Sequence, residues 1–150
     1  RDVERSRGLG DVYKRQYEYR ILNHWDNLDD TVERGYAGLS MWEWTAKEIP
    51  TERIHHYGEL CASVGLNGAV LNNVNANPLI LDKEHIERVA QIANILREYG
   101  ITTYLSIKWT SPVTLDGLKS GDPLDPKVRQ WWKNKAAEIY TAIPISAAFS

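Results

Sequence analysis

Gly65-Leu66-Asn67-Gly68-Ala69-Val70-Leu71-Asn72-Asn73-Val74-Asn75-Ala76-Asn77-Pro78 is the stretch that decides the fold. Ala69-Val70-Leu71 is a short apolar run between a glycine and a pair of asparagines, the pattern of a strand buried on both faces. Four amides follow within six residues before Pro78. They mark a polar loop leaving the strand's carboxyl end. In parallel α/β architectures, ligands bind where such loops gather. A carboxamide donates and accepts at once, so it suits neighbouring hydroxyls of a sugar.

Helices are expected on both sides of this strand. Upstream, Ile54, Tyr57, Cys61 and Val64 recur at three- and four-residue steps, with Thr51 as N-cap and Gly65 as the stop. Downstream, Asp82 caps a helix whose stripe is Ile86, Val89, Ala93 and Leu96, ended by Gly100. Further strands flank these helices. Tyr17 to Leu22 alternates in strand fashion and opens into Asn23-His24-Trp25-Asp26-Asn27-Leu28-Asp29-Asp30. Ile101 to Ile107 is rich in β-branched and aromatic residues and opens into Lys108-Trp109-Thr110-Ser111-Pro112. Asp125-Pro126 begins a third helix with Val128, Trp132, Ala136 and Ile139 inward. Met41-Trp42-Glu43-Trp44 fits either a short strand or an extended loop and has no assigned role.

Strand, helix, strand, helix, strand, helix calls for parallel strands with crossover connections. No Gly-x-Gly-x-x-Gly or phosphate loop follows any strand, which counts against a nucleotide fold. The expected class is α/β, the first three β/α units of a truncated (β/α)8 TIM barrel. A whole barrel takes roughly 250 residues, and the chain has 150.

Composition narrows the function. A net charge of -2 gives no electrostatic sign of nucleic acid or an anionic membrane. No apolar run is long enough to span a bilayer. The lone Cys61 permits neither an internal disulfide nor a cysteine-rich metal site and reads as a core residue. Six tryptophans and eight tyrosines against one phenylalanine favour flat rings with polar edges, useful for sugar stacking and for half-buried packing alike.

Four motifs carry a family likeness: Asn23-His24-Trp25-Asp26-Asn27-Leu28-Asp29; Val32-Glu33-Arg34-Gly35-Tyr36-Ala37-Gly38; Val70-Leu71-Asn72-Asn73-Val74-Asn75-Ala76; and Asp122-Pro123-Leu124-Asp125-Pro126 with Trp132. From Tyr19 to Pro144 the chain resembles the glycoside hydrolase family 67 α-glucuronidases. The resemblance implies an inverting hydrolase that removes α-1,2-linked (4-O-methyl)glucuronic acid from xylooligosaccharides, with a (β/α)8 catalytic domain. It implies no organic cofactor and no catalytic metal. Aldouronic acids are the implied ligands, and a bacterial cytoplasm or periplasm the implied compartment. A homodimeric parent stays open. The general acid and the base carboxylates match positions beyond this chain, so no catalytic residue is assigned and the chain alone is expected to be inactive. Trp25 and Val74 match positions that line the uronic-acid site on its 4-O-methyl side. Asn72 and Asn73 share the Val74 loop as polar neighbours. The alternatives are a non-catalytic carbohydrate-binding module and another barrel glycosidase.

The two ends depart from the family. Residues 1–16 mix basic residues and glycines without an apolar period. They are expected to form a disordered, non-native tail, because Asp11 to Gln16 resembles a recurring junk sequence at the ends of metagenomic assemblies. Residues 17–144 form the partial barrel domain. After Pro144 the family usually reads Asp-Phe-Gly-Gly-Phe-Leu, and one coding of that motif, less its first base, yields the Ile-Ser-Ala-Ala-Phe-Ser of residues 145–150. That points to a frameshift.

The bland readings of other residues stand beside these. Asp26, Asp29 and Asp30 read as turn-holding carboxylates, His24 as a scaffold residue, and Glu33 with Arg34 as a structural pair. His55 and His56 cannot share a helix face, and His85 reads as first-turn surface. Trp109 fits a sugar platform and core packing equally well. Of adjacent Trp131 and Trp132, at most one points squarely inward.

Overall fold

The computed structural model describes residues 17–33 and 38–143. The assignments made for residues 1–16 and 145–150, and for Arg34 as a partner of Glu33, lie outside the described residues. The elements run in order: β1 (Ile21–Asn23), α1 (Thr51–Ser63), β2 (Gly68–Val70), a 3-10 turn (Pro78–Leu81), α2 (Lys83–Glu98), β3 (Thr102–Tyr104), α3 (Ser111–Asp116) and α4 (Pro126–Ala142). The strands form one parallel sheet with β2 in the middle. Leu22, Ala69 and Thr103 lie side by side across it. The chain is thus a mixed α/β unit with the expected alternation of strands and helices, plus one unforeseen short helix, α3, that begins in the segment read as a loop after the third strand.

Three residues per strand give a short ladder, so the sheet is held mainly by what packs on it. Ala69 and Leu71 are fully buried, in one cluster with Ile54 and Cys61 of α1 and with Val89, Ile92 and Leu96 of α2. A buried aliphatic side chain contributes about 1.5–3 kcal/mol, against about 1 kcal/mol net for a hydrogen bond. Helix packing therefore outweighs the ladder.

The helix ends follow local chemistry. Asp82 accepts from the His85 N–H at 2.8 Å, and Asp125 from the Lys127 N–H at 2.8 Å, with Pro126 in the first turn. Gly65 and Gly100 take positive φ of 79° and 70° just past α1 and α2. Thr51 is not the cap of α1. Pro50 holds that position, and the Thr51 hydroxyl turns back to the Ile49 carbonyl at 3.4 Å. Val64 is exposed, because the backbone leaves the helix there; the inward face is Ile54, Tyr57, Gly58 and Cys61. On α4 only Val128 is fully buried, while Trp132, Ala136 and Ile139 are half-covered.

Trp42 and Trp44, at 0% and 5% exposure, belong to the core although they sit in a loop. Two polar residues fix that loop. The Asp30 carboxylate accepts from the Trp44 N–H at 2.6 Å and the Thr45 N–H at 3.1 Å. The Arg88 guanidinium of α2 donates to the carbonyls of Glu43 at 2.6 Å and Ala46 at 2.8 Å.

Gly58 brings α1 against the ring of Tyr99. A Cβ at this position would lie 2.8 Å from Tyr99 Cγ and closer still to Cδ2. Moving the ring would break the 2.8 Å bond between the Tyr99 hydroxyl and His55 Nδ1. Alanine usually gains about 1 kcal/mol over glycine inside a helix. Overpacking costs about 1–3 kcal/mol, so Gly58→Ala is expected to destabilise the fold, measured as a lower urea midpoint in tryptophan fluorescence.

Candidate functional site

The three strands run parallel, so their carboxyl ends fall together and deliver His24-Trp25-Asp26, Leu71-Asn72-Asn73 and Leu105-Ser106 to one rim. Backbone bonds extend the sheet one step further: the His24 N–H donates to the Val70 carbonyl at 3.1 Å, and the Leu71 N–H to the Tyr104 carbonyl at 3.1 Å. Beyond that step side chains take over. Asn72, 2% exposed, donates through Nδ2 to the Ser106 carbonyl at 3.0 Å and accepts the Ser106 N–H on Oδ1 at 2.9 Å. Its carboxamide stands in for a peptide group between β2 and β3. On the other side the Asn73 N–H donates to the Asp26 carbonyl at 2.8 Å.

Asn73 is 4% exposed and works through its side chain as well. Its Nδ2 donates to Asn27 Oδ1 at 2.9 Å and to the Glu33 carboxylate, while its Oδ1 accepts the Asn75 N–H at 2.9 Å. Asn75 Nδ2 reaches both Glu33 oxygens at 2.9 Å. Val74, between these asparagines, is 54% exposed. Trp25 is half-buried, and its carbonyl accepts the Glu33 N–H at 3.0 Å.

Behind the rim lies a buried polar cluster. His24 Nε2 is 2.8 Å from the Tyr57 hydroxyl, and both rings meet Trp42 edge-on at centroid distances of 5.2 and 5.3 Å. Asp26, 4% exposed, accepts from the Ser40 hydroxyl at 2.7 Å and the Met41 N–H at 3.1 Å. Its other oxygen is 3.8 Å from His24 Nδ1. Burial lowers the His24 pKa below the ordinary 6.5, and the Asp26 charge offsets this in part. Burial also raises the Tyr57 pKa, with Cys61 adding to the shift. Both shifts favour the neutral side chains.

The remaining carboxylates near the rim hold turns. Asp29 accepts from the Thr31 hydroxyl at 2.6 Å and its N–H at 3.1 Å, and these bonds lower its pKa. Asp30 grips Trp44 and Thr45. A hollow of 540 Å³ opens beside Leu39, Met41 and Thr45; of the charges on its wall, Glu43 and Arg53 pair at 2.6 Å and Asp30 is the carboxylate bound to the Trp44 and Thr45 N–H groups. His85 departs from expectation. Its Nδ1 lies 2.8 Å from Asp82 and its ring packs 6.3 Å from Trp44, because the loop tryptophan folds over the start of α2. Trp109 is 64% exposed, with its ring 5.9 Å from that of Trp132. Among the described residues no group of three His, Cys, Asp or Glu side chains could hold a metal ion, and no helix is long and apolar enough to cross a membrane.

Residues 3–150 match the model of the glycosyl hydrolase family 67 middle domain. The chain belongs to glycoside hydrolase family 67. It is 43% identical over 131 residues to a probable alpha-glucuronidase A of Aspergillus terreus, and 43% identical over 136 residues to the alpha-glucuronidase A of Emericella nidulans. The alpha-glucuronidase A of Aspergillus tubingensis is 40% identical over 134 residues. Each match covers 87% of this chain but 16% of the relative, so the chain spans about a sixth of their length.

In this family 67 segment the rim gathers Trp25, Asn72, Asn73 and Val74 on two adjoining loops, with Trp109 on the third. Sequence reasoning missed Glu33 as the hub of the asparagine loop. Its signals were a place in the Val32 to Gly38 motif and a reading as the structural partner of Arg34, and periodicity carries no information about a contact forty residues away. It also assigned no role to Trp42, because the alternation in Trp42-Glu43-Trp44 is too short to tell a strand from a loop.

Two outcomes test this geometry. Asn72→Asp keeps the acceptor for the Ser106 N–H but sets a carboxylate oxygen against the Ser106 carbonyl. That disfavours the charged form and raises the new group's pKa. The variant is expected to lose about 1–3 kcal/mol at pH 7 and to recover toward the parent as acidification protonates it, read by urea titration at several pH values. For His24, the folded state binds its proton less readily than the unfolded state. Its stabilising contribution is present above pH 6.5 and is lost as pH falls below it. His24→Gln is expected to flatten the stability profile in that window.

Proposed function

We propose that this segment is the opening portion of a (β/α)8 catalytic barrel, in an enzyme that removes α-1,2-linked (4-O-methyl)glucuronic acid from xylooligosaccharides. The observation that carries this is that half-buried Trp25 and exposed Val74 stand on adjoining, hydrogen-bonded strand-end loops, in a chain of family 67. A flat ring and a small branched apolar group suit a pyranose carrying a methyl ether. Trp25 and Val74 make the sugar contacts, while Asn72 and Asn73 stand behind them and keep the loops in place. The alpha-glucuronidase names of the relatives support the substrate class.

Hydrolysis proceeds with inversion. An acid protonates the leaving oxygen, and carboxylate about 6.5–9.5 Å away activates water on the opposite face. The carboxylates Asp26, Asp30 and Glu33 hold the rim, through Ser40 and Met41, through Trp44 and Thr45, and through two asparagines. The family resemblance puts the acid and base in other segments of the parent enzyme, and this segment supplies one wall of the uronate pocket.

The test uses aldouronic acids. In the full-length enzyme Trp25→Ala is expected to lower kcat/KM about 10- to 100-fold, the effect of losing roughly 1.4–2.8 kcal/mol of transition-state contact. The purified 150-residue chain is expected to release no glucuronic acid. Turnover by that chain, or an unchanged Trp25→Ala enzyme, contradicts the proposal. Micromolar binding by a stably folded chain would favour the carbohydrate-binding module.

A further inference from the structure

We infer that Glu33 is a positioning residue that sets the gap between Trp25 and Val74, and with it the preference for an apolar substituent on the sugar. The inference rests on the pocket assignment above and adds a residue to it. Three observations meet at this side chain. Its carboxylate takes amide hydrogens from Asn73 and from Asn75, the two residues that flank Val74. Its own backbone N–H is bound to the Trp25 carbonyl at 3.0 Å. The loop it holds is tied again at Asp26, through the Asn73 N–H. One residue therefore touches the chain at Trp25 and on both sides of Val74.

The chemistry suits a tether better than a catalyst. Both carboxylate oxygens accept a hydrogen from Asn75, and one accepts a second from Asn73. A carboxylate bound on both oxygens by fixed amides is restrained in position, and charge-assisted bonds of this kind are about twice as strong as neutral ones. Val74 is more than half exposed, so few contacts of its own hold it. Without Glu33 the two asparagines lose a shared acceptor, and the loop tip is free to drift from the tryptophan. A displacement there weakens recognition of a methyl group while leaving bond cleavage, which happens elsewhere, largely intact.

The experiment compares full-length wild-type, E33Q and N75A enzymes on aldouronic acids with and without the 4-O-methyl group. Glutamine keeps the volume of Glu33 but presents an NH2 to amide donors; Asn75 is exposed, so its truncation removes one arm with little risk to folding. For E33Q, KM for the methylated substrate is expected to rise about tenfold and KM for the unmethylated one less than about threefold, with kcat falling less than about threefold. N75A is expected to move the same ratio in the same direction. Equal changes on the two substrates overturn the inference. A kcat loss beyond about a thousandfold at constant KM also overturns it and makes Glu33 catalytic. Amide exchange across residues 73–75 in the substrate-free enzymes is a second readout, independent of activity: faster exchange in E33Q supports the tether, and unchanged exchange overturns it. A wild-type enzyme inert on both substrates removes the pocket assignment, and the exchange result still decides whether Glu33 holds the loop.

Discussion

Strands of three residues make a short ladder, and beneath the helices that hold the sheet two asparagine side chains at opposite ends of β2 extend its bonding. At the amino end, Asn67 Oδ1 accepts the Arg20 N–H at 2.8 Å while its backbone pairs with Arg20 on one side and Thr102 on the other. At the carboxyl end, Asn72 closes a two-bond ring with Ser106. A carboxamide has the donor and acceptor pattern of a peptide unit, so each asparagine lengthens the sheet without continuing the strand. The chain direction is then free to change. That freedom lets the polypeptide leave the strand and form a rim while the sheet beneath stays paired.

The same economy extends outward. Asn73 ties the β2 loop to Asp26, and Glu33 ties it to Trp25. Under the rim, buried Trp42 packs edge-on against His24 and Tyr57. A buried polar cluster of this kind is costly unless its groups find partners. The His24–Tyr57 and Asp26–Ser40 bonds provide them. Precise placement of exposed side chains needs such a support, because a binding residue is only as well placed as the shell behind it.

Much of the fold was legible in the chain. The apolar run around Ala69, the α2 stripe of Ile86, Val89, Ala93 and Leu96, the Asp82 and Asp125 caps, and the glycines that end α1 and α2 are local signals with local causes. Alternation overstates the strands: Tyr17 and Tyr19 have the pattern yet lie exposed and pair with no strand among the described residues. The helical step carries Val64 inward, although the helix ends one residue before it. The loop tryptophans Trp42 and Trp44 alternate with Glu43 over too short a run to be decisive, and tertiary packing reveals them as core. At the rim, the asparagine loop stood out by composition. The division of labour within it did not. Asn72 and Asn73 turn inward, to Ser106 and to Glu33, and only a folded chain shows which amides are spent on structure.

In the proposed barrel, half-covered Trp132 and Ile139 on α4 and the exposed Ile21 and Leu22 on β1 are faces available to its further strands and helices. The rim would then be one sector of a closed cup, with the uronate held between this sector and the catalytic carboxylates across from it. The most direct measurement is a crystal structure of the full-length family 67 enzyme with glucuronic acid bound. The sugar ring is expected to stand against Trp25, with its C4 side toward Val74. A ring bound on the far side of the cup, out of contact with both residues, would contradict the account.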